Sequence, residues 1–121
     1  MGRLKEPLLE RVRVFASRVL DVVDVLEEQR RSKRVLDQLT GSGASVAANT
    51  YEADEALSRP DFVKTLGIAM KELSETRFWL ELCVLRGWVK AELLADLLGE
   101  TKELRAILGT IIAKSRRSPG I

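Results

Sequence analysis

Apolar side chains recur along this chain at alternating steps of three and four, and that spacing narrows the folds open to it more than any other feature. In the first segment Leu8, Val12, Phe15, Val19, Val22 and Leu26 fall on one face of a helix. A second stripe of Leu9, Ala16, Leu20 and Val23 runs beside it, wider than one neighbour needs, so contact with two partners or with another subunit is expected. Pro7 suits the first helical turn. Ser58, with Asp61 three residues later and Pro60 between them, has the form of a capped helix start. From there Phe62, Leu66, Ala69, Leu73, Thr76, Leu80 and Cys83 keep the spacing, widened by Val63, Met70, Trp79 and Val84, until Gly87 is placed to end the helix. A last stripe, from about Lys90, takes in Leu94, Leu97, Thr101, Leu104, Leu108, Ile111 and Ser115. No strand-like alternation competes.

The second segment is the ambiguous one. Gln29 to Lys33 is polar and reads as a connection, after which Val35, Leu36 and Leu39 resume the helical pattern. It then meets Gly41, Ser42, Gly43, Ala44 and Ser45, which propensity alone assigns to a loop. If the helix continues, Leu39, Ser42, Val46, Asn49, Ala53 and Leu57 stay within one face. The small side chains then let another helix approach closely, although each glycine costs up to about 1 kcal/mol. Periodicity favours one continuous helix over residues 35–57. Four helices of roughly 20 to 27 residues, each about 30 to 40 Å long, with short joints, predict an all-α fold. The expected form is a single antiparallel up-down-up-down four-helix bundle over residues 1–115. Residues 116–121, with Pro119 and Gly120, read as a flexible C-terminal tail. The 121 residues suit one domain.

Chemistry is scarce. The chain has no histidine and one cysteine, Cys83, which lies in an apolar stretch and reads as a small buried hydrophobe in a reducing compartment. A carboxylate metal site in a bundle needs glutamates from several helices and Glu-x-x-His on two of them. The Gly-Ser-Gly-Ala-Ser stretch lacks the Gly-Lys-Ser/Thr ending and the preceding strand of a phosphate loop. No nucleophile–base pair appears either, so neither catalytic residues, nor a metal, nor a cofactor is expected, and the protein should not be an enzyme. Residues 1 to 10 lack the apolar core of a signal peptide, and no apolar run nears the roughly 20 residues of a membrane span. A cytoplasmic location without a membrane partner is therefore expected.

Polar residues also fall into patterns. Ser42, Ser45, Asn49 and Glu52 share one helix face, and Glu72, Glu75, Thr76 and Trp79 repeat the geometry on the third helix. Facing stripes of this kind suggest a buried interhelical hydrogen-bond network or an oligomer interface. With 20 basic and 18 acidic residues the net charge is only +2, so a case for nucleic acid must come from placement. An antiparallel bundle gathers Arg3, Lys5, Arg11, Arg13, Arg59, Lys64, Lys114, Arg116 and Arg117 at one end, and Arg30, Arg31, Lys33, Arg34, Arg86 and Lys90 at the other. The first end is the candidate nucleic-acid-binding site, although basic residues also simply solvate helix ends. Trp79 and Trp88 are candidate anchors for a protein partner, or core residues.

Two runs carry a family resemblance. The first is Gln38-Leu39-Thr40-Gly41-Ser42-Gly43-Ala44-Ser45-Val46-Ala47-Ala48-Asn49-Thr50-Tyr51-Glu52-Ala53. The second holds Asp61-Phe62, Lys64, Leu66-Gly67-Ile68-Ala69 and then Lys71-Glu72-Leu73-Ser74-Glu75-Thr76-Arg77-Phe78-Trp79-Leu80-Glu81-Leu82. Together they resemble the four-helix-bundle proteins encoded in intervening sequences of bacterial large-subunit ribosomal RNA genes, over nearly the whole chain. The sequence departs from that pattern at Gly41, where arginine is common, and at Thr50. The resemblance implies an up-down-up-down bundle that assembles as a homopentamer, with a role tied loosely to RNA. A related bundle is the accessory protein of diversity-generating retroelements, which binds a reverse transcriptase and nucleic acid. Two functions are thus expected in competition: an oligomer associated with RNA or DNA through its basic ends, or a protein-binding scaffold such as an accessory subunit of a reverse transcriptase.

Overall fold

The first three helices start where the sequence supplies something for the first turn. In the computed structural model, which describes residues 2–117, the helices are α1 (Glu6–Glu28), α2 (Lys33–Asp54), α3 (Arg59–Leu85) and α4 (Ala91–Arg117), with no strand among the described residues. Pro7 sits in the first turn of α1, where its missing N–H costs nothing. Ser32 caps α2 by accepting from the Arg34 amide. Ser58 caps α3 by accepting from the Asp61 amide at 3.2 Å, as the spacing predicts. Past the end of α3, Gly87 takes a φ of +73°, which a residue without Cβ adopts freely, and the Trp88 amide returns to the Cys83 carbonyl at 2.9 Å.

Successive helices are neighbours: α1 packs on α2, α2 on α3 and α3 on α4, while α4 closes back on α1 through the thinnest seam. With short joints, this is the antiparallel up-down-up-down bundle. The core runs in two blocks. One contains Phe15, Leu26, Leu39, Leu73, Leu80 and Leu104; the other, toward the chain's N-terminal end, contains Phe62, Leu66, Ala69, Leu108 and Ile112. No described helix is long and apolar enough to cross a membrane.

The small-residue window is helical throughout, so α2 is one rod. Gly43 explains why: a Cβ there would lie 2.6 Å from Val19 Cγ1 and 2.9 Å from Val19 Cβ, so α1 approaches α2 over a position that tolerates no side chain. The rod is shorter than the predicted 35–57. It ends at Asp54, where the Glu55 and Ala56 amides turn back to the Glu52 and Ala53 carbonyls and residues 3 and 4 fold across the helix end. The Arg3 amide reaches the Asp54 carbonyl at 3.1 Å, the Leu4 amide the Asp54 carboxylate at 2.6 Å, and Arg3 Nε the Ala56 carbonyl at 2.7 Å. Leu57, expected on the inner face, therefore lies in the joint and is 94% exposed, while Ala56 is buried in its place. In α4 the last buried residue is Ile112, and Ile111 is only half-buried. At 3.6 residues per turn Ile112 stands about five full turns beyond Leu94 and so on its line, whereas Ile111 falls about 100° to one side. The predicted tail is also corrected, since Arg116 and Arg117 continue α4. Residues 118–121 lie outside the described residues.

Candidate nucleic-acid interface

At the end where α1 begins and α4 finishes, a groove of about 490 Å³ is lined by Arg3, Lys5, Arg11 and Lys114 around Leu8 and Ile111. An adjoining groove joins Arg3 and Lys114 to Arg59 beside Phe62. No carboxylate lines either one. Five of the nine candidate cations thus converge as the bundle geometry predicts, Arg3, Lys5, Arg11, Arg59 and Lys114, while Lys64 is exposed and lines neither groove.

Their freedom differs. Arg11 makes a bidentate pair with Glu100, both bonds at 2.7 Å, and reaches Glu103 at 2.6 Å. These hydrogen bonds hold its guanidinium charged even more firmly than usual. Arg3 is committed to the Ala56 carbonyl. Arg13 lies outside the grooves and is engaged by the Tyr51 hydroxyl and by Glu6 and Glu10. Lys5 and Lys114 are exposed. Arg116 is not part of this end face; it lines a different groove, between α3 and α4, beside Lys71 and Arg105. Arg117 is exposed on the last turn of α4. The Arg11 pairing was illegible in sequence, because Glu100 is 89 positions away and only the packing of α4 on α1 joins them.

At the opposite end the cations serve the joints. The Arg31 guanidinium lies 4.8 Å from the centre of the Trp88 ring and that of Arg86 5.9 Å, so the half-buried Trp88 is faced by two charges. Lys33 pairs with Asp37 one turn on, at 2.7 Å.

The polar face of α2 and α3 departs from the expected network between helices. Ser42 donates to the Leu39 carbonyl at 3.3 Å, the Asn49 amide to the Ser45 carbonyl at 2.9 Å, and Thr76 to the Glu72 carbonyl at 2.8 Å. Trp79 Nε1 donates to the Glu75 carboxylate at 3.2 Å. Every one of these bonds stays within its own helix, because the preceding turn offers an acceptor that a short hydroxyl or amide reaches without crossing. Ser45, Glu72 and Glu75 are half-buried, and Glu52 is exposed. Thr50, which belongs to neither predicted polar stripe, is fully buried and donates to the Val46 carbonyl at 2.7 Å.

Burial pushes the Cys83 thiol above its usual range, partly offset by the charge of Arg31. Among the described residues no group of three or more cysteine, aspartate or glutamate side chains is placed to hold a metal ion.

Comparison with known proteins places the chain among solved structures and a family model. The crystal structure of a protein of unknown function from the S23 ribosomal protein family of Bacteroides thetaiotaomicron is 31% identical, with a TM-score of 0.83, over 87% of this chain and 97% of that one. No curated protein matches significantly. A family model, that of the 23S rRNA-intervening sequence protein, matches residues 8–110. With the bundle, the small-residue α2 and the matched span in agreement, this chain belongs to the 23S rRNA-intervening sequence protein family.

Proposed function

We propose that this chain is a non-enzymatic bundle that assembles with copies of itself, with the pentamer as the expected form, and engages nucleic-acid backbone through its basic end. One observation carries the reading: charge is sorted on its surface. Between residues 38 and 51 the sequence holds no charged residue, yet Gly41, Ala44, Ala48 and Tyr51 of this stretch are exposed. On α1, Leu20 is exposed seven residues beyond Arg13, on the side that touches Tyr51. A solvated helix normally carries charge on such a face; a face kept uncharged suits a copy of the chain. The grooves at the α1–α4 end have the opposite character, basic and free of carboxylates. A single chain offers few uncommitted cations there, so repetition around a symmetry axis would let modest contacts add up.

Molar mass in solution, measured with and without a labelled RNA hairpin, tests both halves. The expected result is an oligomer whose RNA affinity falls steeply with salt and falls further in a Lys5→Gln/Lys114→Gln variant. A monomer, or binding indifferent to salt, removes the corresponding half.

A protein-binding scaffold is the second reading. Phe78 and Leu85 favour it, being 53% and 81% exposed on the outer side of α3. Co-purification of a polypeptide from the native host, lost in a Phe78→Asp variant, is its test.

A further inference from the structure

We infer that the groove between α3 and α4 is a second contact site for RNA, taking the phosphodiester backbone on Lys71, Lys102, Arg105 and Arg116. This rests on the nucleic-acid reading above, but on a different face and different residues. The groove, about 600 Å³, has Lys71, Arg105 and Arg116 along its walls, and Lys102 adjoins it through the shallower depression that shares Arg105. No carboxylate lines either depression.

That absence follows from how α4 distributes its charges. Its four acids, Glu92, Asp96, Glu100 and Glu103, follow one another at steps of four, four and three and so share a face; Glu100 and Glu103 meet Arg11 of α1. Lys102, Arg105 and Arg116 lie on the other side, toward α3. Two of the four acids are thus held on Arg11, and Lys114 stays on their side in the α1–α4 groove, while Lys102, Arg105 and Arg116 stand over the valley.

The valley has the shape for a backbone. Gly67 and Gly109 form part of its floor, and no atom lies within 4 Å of where a Gly67 Cβ would stand, so the space above is open. From Lys102 to Arg116 the helix rises roughly 21 Å at 1.5 Å per residue, long enough for several phosphates of one strand to lie along it. Arg105 is aimed rather than loose: its Nη1 donates to the Ser74 hydroxyl across the groove at 3.0 Å. A guanidinium carries about five N–H donors, so this bond still leaves several for an anion. No aromatic ring lines the groove, so nothing there stacks on a base, and recognition is of charge and spacing rather than of sequence.

The test uses the full chain and a fluorescein-labelled RNA hairpin, with affinity followed by anisotropy across a salt series. Replacing all four cations, Lys71→Gln/Lys102→Gln/Arg105→Gln/Arg116→Gln, is expected to weaken binding more than tenfold at low salt. The slope of log K against log salt should also fall by about 3, at roughly 0.7 to 0.9 for each phosphate that is no longer neutralised. Ala106→Glu, which places one carboxylate at an exposed lining position, should weaken binding without touching any cation. Arg105→Lys should bind nearly as well as the parent, and a second hairpin of unrelated sequence should bind alike. Unchanged molar mass and melting temperature separate these effects from misfolding. If the quadruple variant and Ala106→Glu both keep the parental affinity and slope while Lys5→Gln/Lys114→Gln loses them, the groove is not a contact site and the end-face reading survives. If the parent itself shows no salt-dependent binding, both readings fall together.

Discussion

At position 43 a missing side chain sets the distance between two helices. Gly43→Ala would gain up to about 1 kcal/mol of helix propensity, but its Cβ would meet Val19 Cγ1 at 2.6 Å and Val19 Cβ at 2.9 Å. The second atom does not move with the side-chain rotamer, so helix α1 itself must shift, at about 1 to 3 kcal/mol. Overpacking wins, and the melting temperature should drop by several degrees. Gly41→Ala makes the informative contrast. Within one chain its Cβ meets nothing within 4 Å, so any loss of stability or mass in that variant reports a neighbour from another copy. Cys83 gives a second residue-scale test. Burial raises its pKa, so the stability that comes from the neutral thiol is complete below the ordinary thiol value of about 8.5 and is lost as pH rises through the higher folded value. Alkylation by iodoacetamide should accordingly be slow in the native protein and fast after unfolding, and Cys83→Ala should lessen the loss of stability at alkaline pH. The cysteine's burial was legible from its place in an apolar stripe. The Gly43 contact was legible only as a small-residue window, because its partner, Val19, lies on another helix.

Helix ends and seams behave differently. The start of α3 could be read locally, since Ser58, Pro60 and Asp61 are adjacent in the chain and the cap bond spans three residues. Ser58→Ala should cost about 1 kcal/mol, seen as a shift in the thermal midpoint. The seam of α1 with α4 could not be read that way. It is the most loosely packed of the four neighbouring pairs, and Arg11 clamps it through Glu100 and Glu103. Arg11→Ala would leave the half-buried Glu100 without its bidentate partner and is expected to cost about 1 to 2 kcal/mol, with faster amide exchange in α4. Stability lost there would come from the seam rather than from nucleic-acid binding, so Arg11 is a poor probe of binding, whereas Lys5 and Lys114 are good ones. The end of α2 shows the same limit: a stripe reaching Leu57 was reasonable from spacing, but the helix ends at Asp54, where the strap at Arg3 and Leu4 folds across it.

On the scale of the molecule, the bundle presents two kinds of surface, the uncharged outer face of α2 and basic valleys beside α4. Ala44→Glu/Ala48→Glu alters only exposed positions, so helix content should stay constant while molar mass falls to that of one chain of 13.5 kDa. If mass is unchanged, copies do not meet through α2. The sequence by itself determined that there are four helices, which face of each is apolar and where α3 is capped, and it favoured a single α2 running through its glycines. All of these depend on neighbours three or four residues apart, and local geometry carries that information. Only the tertiary structure decided which cations remain available. Arg11, Arg13 and Arg3 look equivalent to Lys5 and Lys114 along the chain, yet each of the three is held by a partner on another element or an adjacent turn. The tertiary structure also brought Lys71 to Arg105 and Arg116, because a valley between two helices exists only once their rotation and register are set, and a three-four stripe fixes the inner faces of a bundle while leaving its outer seams free.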